Sequence, residues 1–103
     1  MIELLENLGK KDAYVVLKII KKLGKARYVD IEKEIVSSGY YITSPTLSKR
    51  LKELRSSGLI TKNYDESEDD VVYMLTPFGE EVVSKLEELE LIYKKFKEGS
   101  VVA

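Results

Sequence analysis

The hydrophobic period of this chain changes twice, and few folds accommodate both changes. As far as Gly58, apolar residues recur at the three- and four-residue spacing of amphipathic helices. From Leu59 to Asp65 and from Val71 to Leu75, β-branched, aromatic and other apolar residues dominate. The polar, turn-prone run Glu66-Ser67-Glu68-Asp69-Asp70 separates these two stretches. Thr76-Pro77 then restores helical spacing, which lasts to about Glu98, and a frayed tail is expected after Gly99. An isolated hairpin is marginal in water, so this one must pack on the helices around it.

Helix boundaries follow from local chemistry. The first clear helix is expected from about Asp12, a potential N-cap, to Leu23, with Ala13, Val16, Leu17, Ile20 and Leu23 on its apolar face. The second is expected to start near Asp30 as N-cap, to turn Ile31 and Ile35 inward, and to close at Gly39. The third is the best marked. Ser44 is the expected N-cap and Pro45 the first helical residue, where a missing N–H costs nothing. Leu47, Leu51 and Leu54 form its buried stripe. Gly24, Gly39 and Gly58 follow the three patterns, where a left-handed residue is wanted. A short extra helix from Met1 to Leu8, with Leu4, Leu5 and Leu8 apolar, is the expectation before them. The order is helix, helix, helix, hairpin, long helix. The fold class is α+β, mostly α: a winged helix-turn-helix with a three-helix core, a two-stranded wing and a long C-terminal helix. One domain is expected over residues 1–103, with an N-terminal extension (1–10), a helix-turn-helix plus wing (12–75) and a C-terminal helix (76–98).

Composition excludes more than it assigns. The chain has no cysteine and no histidine, so thiolate chemistry and the commonest general base and metal ligand are absent. Ser37-Ser38 and Ser56-Ser57 lie at helix ends with no histidine to activate them. No nucleotide-binding loop, nucleophile elbow or metal cluster occurs, so no catalytic residue, cofactor or metal is expected and the chain is not expected to be an enzyme. Neither a signal peptide nor a membrane span is expected, which suits a cytoplasmic protein. The abundance of lysine and glutamate without glutamine fits a heat-adapted cell. Net charge is −1, but it is unevenly spread: residues 10–62 carry 13 Lys/Arg against 5 Asp/Glu, and residues 63–103 carry 4 against 11. Such asymmetry suits a nucleic-acid surface on one side.

The stretch from Ile42 through Ser44-Pro45-Thr46-Leu47-Ser48-Lys49-Arg50-Leu51 to Gly58-Leu59-Ile60 resembles the recognition helix of small prokaryotic winged-helix regulators of the MarR, HxlR and ArsR kinds. Tyr73-Met74-Leu75-Thr76-Pro77-Phe78-Gly79 is similar to the Y-x-L-T-x-x-G seam between their wing and last helix. The resemblance implies a third helix, about 44–57, in the major groove of double-stranded DNA, a wing on the backbone, and terminal helices that dimerise. The residues agree: with the leucines buried, Ser44, Pro45, Thr46, Ser48, Lys49 and Arg50 are candidate contacts at the N-terminal part of the helix. Arg50 or Lys49 suits guanine, Ser48 and Thr46 suit bases or phosphates, and Lys52, Arg55 and Lys62 suit phosphate.

Two features depart from those relatives. The wing tip holds Asp65, Glu66, Glu68, Asp69 and Asp70 with no basic residue, and Lys62 is the only cation in the hairpin. Asp65, Ser67 and Asp69 imitate the start of an EF-hand loop, but Asp70 stands where glycine is needed and Thr76 where the bidentate glutamate belongs, so a solvated, mutually repelling loop is expected. The second departure is that no residue points to a small-molecule effector. Lys18, Lys21, Lys22, Lys25 and Arg27 are read as compensation of a helix C-terminus plus solubility.

Val82, Leu86, Leu89, Tyr93 and Phe96 are spaced four, three, four, three, an a/d seam that outlasts what one small domain can cover. A homodimer joined there, with Leu4, Leu5 and Leu8 as neighbours, is the expectation, and palindromic half-sites follow from two-fold symmetry. The function expected is a dimeric, sequence-specific DNA-binding transcription regulator. Two other uses of such a domain remain open: a protein-contact module, which the acidic hairpin favours, and an architectural DNA-binding protein of low specificity.

Overall fold

The computed structural model describes residues 1–102, with side chains to Glu98, and the last helix continues to Val102 where a frayed tail was expected after Gly99. Five helices and one hairpin follow in order: α1 (Ile2–Leu8), α2 (Ala13–Leu23), α3 (Tyr28–Ser37), α4 (Ser44–Ser56), β1 (Ile60–Asp65), β2 (Asp70–Leu75) and α5 (Pro77–Val102). Leu17 and Ile20 of α2, Ile31 of α3, Leu47, Leu51 and Leu54 of α4, Leu59 and Val83 are all fully buried and belong to one core.

Two caps differ from expectation, and a third keeps its place without a side-chain bond. In α4 the cap is Thr43, not Ser44: Thr43 is extended (φ −69°, ψ 155°) and its hydroxyl oxygen accepts from the Thr46 N–H at 3.4 Å. Ser44 is thereby the first helical residue and donates its hydroxyl to Glu32 at 3.3 Å. Pro45 moves to the second position, where its absent N–H is still one the helix leaves unpaired. In α3, Asp30 lies in the first turn instead of capping it. Its carboxylate accepts from the Arg27 backbone N–H at 3.3 Å and from the Arg27 guanidinium at 2.9 and 3.0 Å, which extends the helix back to Tyr28. Asp12 flanks α2 in a left-handed conformation (φ 76°), without a side-chain cap. Gly24, Gly39 and Gly58 take positive φ, as their positions require.

The hairpin pairs Ile60 with Leu75 through Asp65 with Asp70 in antiparallel register. A third chain segment joins it. Ala26 N–H donates to the Tyr73 carbonyl at 3.0 Å and Tyr73 N–H to the Ala26 carbonyl at 2.8 Å, so the turn between α2 and α3 closes one edge of the sheet.

The seam at residues 73–79 has a plain cause. The Thr76 hydroxyl donates to the Gly58 carbonyl at 2.7 Å and accepts from the Gly79 N–H at 2.9 Å, capping α5 while tying it to the end of α4. Thr76 N–H donates to the Leu59 carbonyl at 3.0 Å. Gly79 presses so close to Leu59 that a Cβ there would stand 2.0 Å from the Leu59 carbonyl oxygen.

Candidate nucleic-acid interface

Burying Leu47, Leu51 and Leu54 turns the other side of α4 outward, and Ser48, Lys49, Lys52 and Arg55 are all exposed. Ser48, Lys52 and Arg55 are four and three residues apart, so they share one flank of the helix. That flank faces the wing. Between them runs a groove of about 490 Å³ lined by Tyr28, Ser48, Lys52, Arg55, Lys62 and Asp70, among others. A neighbouring hollow of about 530 Å³ shares Lys52, Arg55 and Lys62 and adds Thr61 and Asn63. Three cations from a helix and a strand therefore converge on one open channel. Lys62 sits 5.8 Å over the Tyr73 ring, a cation–π contact that steadies it at the base of the wing.

At the other end of α4, the Tyr28 hydroxyl donates to the Ser44 carbonyl at 3.2 Å and lies 3.4 Å from Ser48 Oγ, so α3 braces the first turn. Pro45 and Ser44 are exposed there, and Thr46 is half-buried, its hydroxyl bonded to Thr43 at 2.9 Å. Lys49 is exposed on the same helix but does not line the groove.

Arg50 is directed elsewhere. Its Nε donates to the Lys11 carbonyl at 2.9 Å and its Nη1 to Glu53 Oε1 at 2.6 Å, and its side chain is only 15 % exposed. A guanidinium so engaged faces the segment between α1 and α2, not the groove.

The acidic wing is only in part a loop of repelling charges. Lys25 pairs with Asp65 at 2.8 Å, and Arg27 lies 4.0 Å from Glu68. Asp65 also accepts from the Ser67 hydroxyl and the Glu68 N–H, and the Tyr64 hydroxyl donates to Asp69. The hydrogen bond from Lys25, helped by those from Ser67 and Glu68, holds the Asp65 carboxyl well below the usual carboxylate range. The lysine-rich end of α2 therefore does more than offset a helix dipole. Lys22 pairs with Glu34 of α3, Lys21 with Glu87 and Lys18 with Glu90 (3.3 Å) of α5, and Lys25 with the wing. Sequence reasoning missed these partners, and also Tyr28, Asp70 and Tyr73 in the groove, because no local spacing marks contacts between residues so far apart in the chain.

On the last helix, Val82 is half-buried against the core and Leu86 is half-buried, whereas Leu89, Tyr93 and Phe96 are exposed at 59, 63 and 71 %. Every residue from Leu91 to Glu98 is exposed. Of the α1 leucines, Leu4 and Leu8 pack on the core and Leu5 is exposed. Among the described residues no group of acidic side chains is placed to hold a metal ion, and no helix is long and apolar enough to cross a membrane.

Three helices, a two-stranded wing and a cationic groove between the third helix of the motif and that wing define a winged helix-turn-helix protein of the DNA-binding transcription-regulator class. Residues 7–100 match the family described as HxlR-like helix-turn-helix, and the chain belongs to that family. No curated protein sequence matches it. Solved structures do. The reduced form of the transcriptional regulator YodB from B. subtilis superposes with a TM-score of 0.79 at 24% identity, covering 93% of this chain and 90% of that one. A possible HxlR family transcriptional factor from Thermoplasma volcanium GSS1 gives 0.72 at 26% identity, covering 91% and 81%. A MarR family transcriptional regulator from Porphyromonas gingivalis W83 gives 0.67 at 26%, covering 87% and 84%.

Proposed function

We propose that this protein is a homodimeric regulator that binds double-stranded DNA sequence-specifically, with α4 in the major groove. The observation that carries the reading is the convergence of Lys52, Arg55 and Lys62 beside Ser48 on the outward flank of a helix whose other side is locked into the core. Ser48 and Lys49, with Ser44, Pro45 and Thr46 at the leading turn, supply the surface for base edges, while Lys52, Arg55 and Lys62 meet phosphates. Arg50 leaves the set of base readers because its guanidinium is already committed. The base of the wing, through Lys62, makes the backbone contact that the acidic tip cannot. Leu89, Tyr93 and Phe96, with Leu91 and Ile92, are the pairing face of the dimer. Switching by thiol oxidation is not open to a chain without cysteine.

Selection of bound sequences from random duplex DNA tests the reading, followed by titration of a selected duplex at several salt concentrations. With about 6–10 phosphate contacts per dimer, affinity falls roughly 10³- to 10⁵-fold between about 50 and 200 mM salt. Lys52→Glu with Arg55→Glu abolishes binding and leaves helicity intact. A double variant that binds like the parent overturns the reading. The exposed Glu66, Glu68, Asp69 and Asp70 favour a second one, docking of a basic protein, which gains ground if no duplex is enriched.

A further inference from the structure

The groups that hold Arg50 away from the groove, a backbone carbonyl and a carboxylate, belong to a link between α4 and the N-terminal segment. α1 is seven residues long and has no buried residue. Besides the half-buried Leu4 and Leu8, it is secured through Asn7, whose amide donates to Ser57 Oγ and, at 3.5 Å, to the Glu53 carbonyl. Just beyond α1, the Lys10 ammonium pairs with Glu53 Oε2. The next residue, Lys11, offers its carbonyl to Arg50 Nε at 2.9 Å, and Arg50 Nη1 donates to Glu53 Oε1 at 2.6 Å. Both oxygens of one carboxylate are thus occupied by cations from two parts of the chain. Glu53 and Arg50 are 16 and 15 % exposed, so water screens their pair less than the ion pairs on the α2 surface, while Lys10 reaches the same carboxylate from a more open position, 39 % exposed.

We propose that Glu53 is a positioning residue for DNA binding: its carboxylate, shared by Lys10 and Arg50, ties the C-terminal half of α4 to the segment between α1 and α2 and so fixes the angle at which α4 meets the duplex. The inference rests on the DNA-binding reading above. The leucine stripe sets how deeply α4 sits and which way it is rotated, but apolar contact is non-directional and leaves the helix free to tilt. Charge-assisted hydrogen bonds are directional and resist that tilt. Glu53 touches no DNA in this arrangement. Its negative charge on a DNA-facing helix disfavours phosphate, so its use there requires a compensating role.

That opposition of signs makes the test decisive. If Glu53 acts only as a charge, Glu53→Gln strengthens binding to every duplex. If it positions α4, Glu53→Gln weakens binding to the duplex the parent selects from a random pool and spares or strengthens binding to a random-sequence duplex. The ratio of the two affinities is expected to fall about tenfold, the worth of roughly one base contact. Amide hydrogen exchange of residues 7–11 should quicken in the same variant. Lys10→Met cuts the link from the other side, leaves the core and α4 untouched, and should lower the ratio similarly. The double variant Lys10→Met with Glu53→Gln should be no worse than the poorer single one, because both remove one link. An unchanged ratio in both single variants overturns the role of Glu53 alone. A parent that enriches no duplex overturns the DNA-binding reading and this role with it, and the exchange rates then show separately whether the link exists.

Discussion

Lys25, in the turn between α2 and α3, holds Asp65 at the end of the first wing strand across 2.8 Å. The pair joins the most basic part of the chain to its most acidic loop and leaves the tip carboxylates unequal. Asp65 is partnered, with Glu68 near Arg27, whereas Asp70 lines the cationic groove beside Lys62. Asp70 is thus the carboxylate best placed to weaken binding to any passing duplex. Glu66→Gln with Asp70→Asn should raise affinity for random-sequence DNA by a few-fold at about 50 mM salt, and the gain should shrink at about 200 mM as the Debye length shortens. Titration of a labelled random duplex measures it. Equal low-salt affinity in parent and variant would place the tip away from DNA and favour a basic protein partner.

The pH profile of stability should be flat near neutrality and steep in acid. Lys25 lowers the pKa of Asp65, Lys10 that of Glu53, Arg27 that of Asp30 and Lys18 that of Glu90. A depressed folded-state pKa contributes stability above the unfolded value, about 3.9 for Asp and 4.3 for Glu, and that stability is lost as pH falls through the folded value. With no histidine in the chain, no side-chain type present has its ordinary pKa between about 5 and 8. Thermal unfolding followed by circular dichroism should show a near-constant midpoint over that range and a fall below about pH 4. A change of more than about 5 °C between pH 5.5 and 7.5, roughly 1 kcal/mol for a chain of this size, would contradict this account.

Gly79→Ala should destabilise, although alanine is the better helix former by about 1 kcal/mol. The new Cβ meets backbone, the Leu59 carbonyl oxygen at 2.0 Å, which cannot rotate aside as a side chain could. Relief requires α5 to lift from the start of β1, loosening the Thr76 hydrogen bonds to Gly58 and Leu59. Overpacking of this kind costs about 1–3 kcal/mol, and here its upper end outweighs the gain in propensity. Chemical denaturation checks the sign. A more stable variant would show that the two backbones are not locked together.

What was legible in the sequence is what local spacing encodes. The leucine stripe of α4, the positive-φ glycines and the hairpin limits follow from periodicity and turn chemistry; the first two are found where expected and each strand starts within one residue of its expected limit. Cap positions slipped because Thr43 and Ser44 are chemically equivalent caps and only the backbone decides between them. The partners of Arg50 could not be read in the sequence, because helical spacing shows which residues leave the core, not which of them find partners elsewhere. One acceptor of Arg50 is a backbone carbonyl 39 residues away. The pairing of Lys25 with Asp65 escaped for the same reason, since two runs of like charge look solvated until the fold sets them side by side.

Assembly gives the remaining prediction. Glu90 ties α5 to α2: the Tyr14 hydroxyl donates to it at 3.2 Å and Lys18 pairs with it at 3.3 Å. Beyond it the helix carries Leu91, Ile92, Tyr93 and Phe96, 53 to 71 % exposed, and Leu89 just before it is 59 % exposed. Covering a large apolar side chain contributes about 1.5–3 kcal/mol, and two-fold pairing doubles every contact, so this stripe suffices to drive association if a second copy lies along it. Leu89, Tyr93 and Phe96 recur at the spacing that knobs-into-holes packing uses. Leu89→Glu places two like charges in that seam without touching the core, to which Leu89 does not belong. The parent should scatter light as a dimer of the 11.8 kDa chain and the variant as a monomer with unchanged helicity. The variant should also lose affinity for a palindromic duplex far more than for a single half-site, since each protomer then binds alone. A parent that stays monomeric at high micromolar concentration would remove the dimer and leave α5 to be covered by something else.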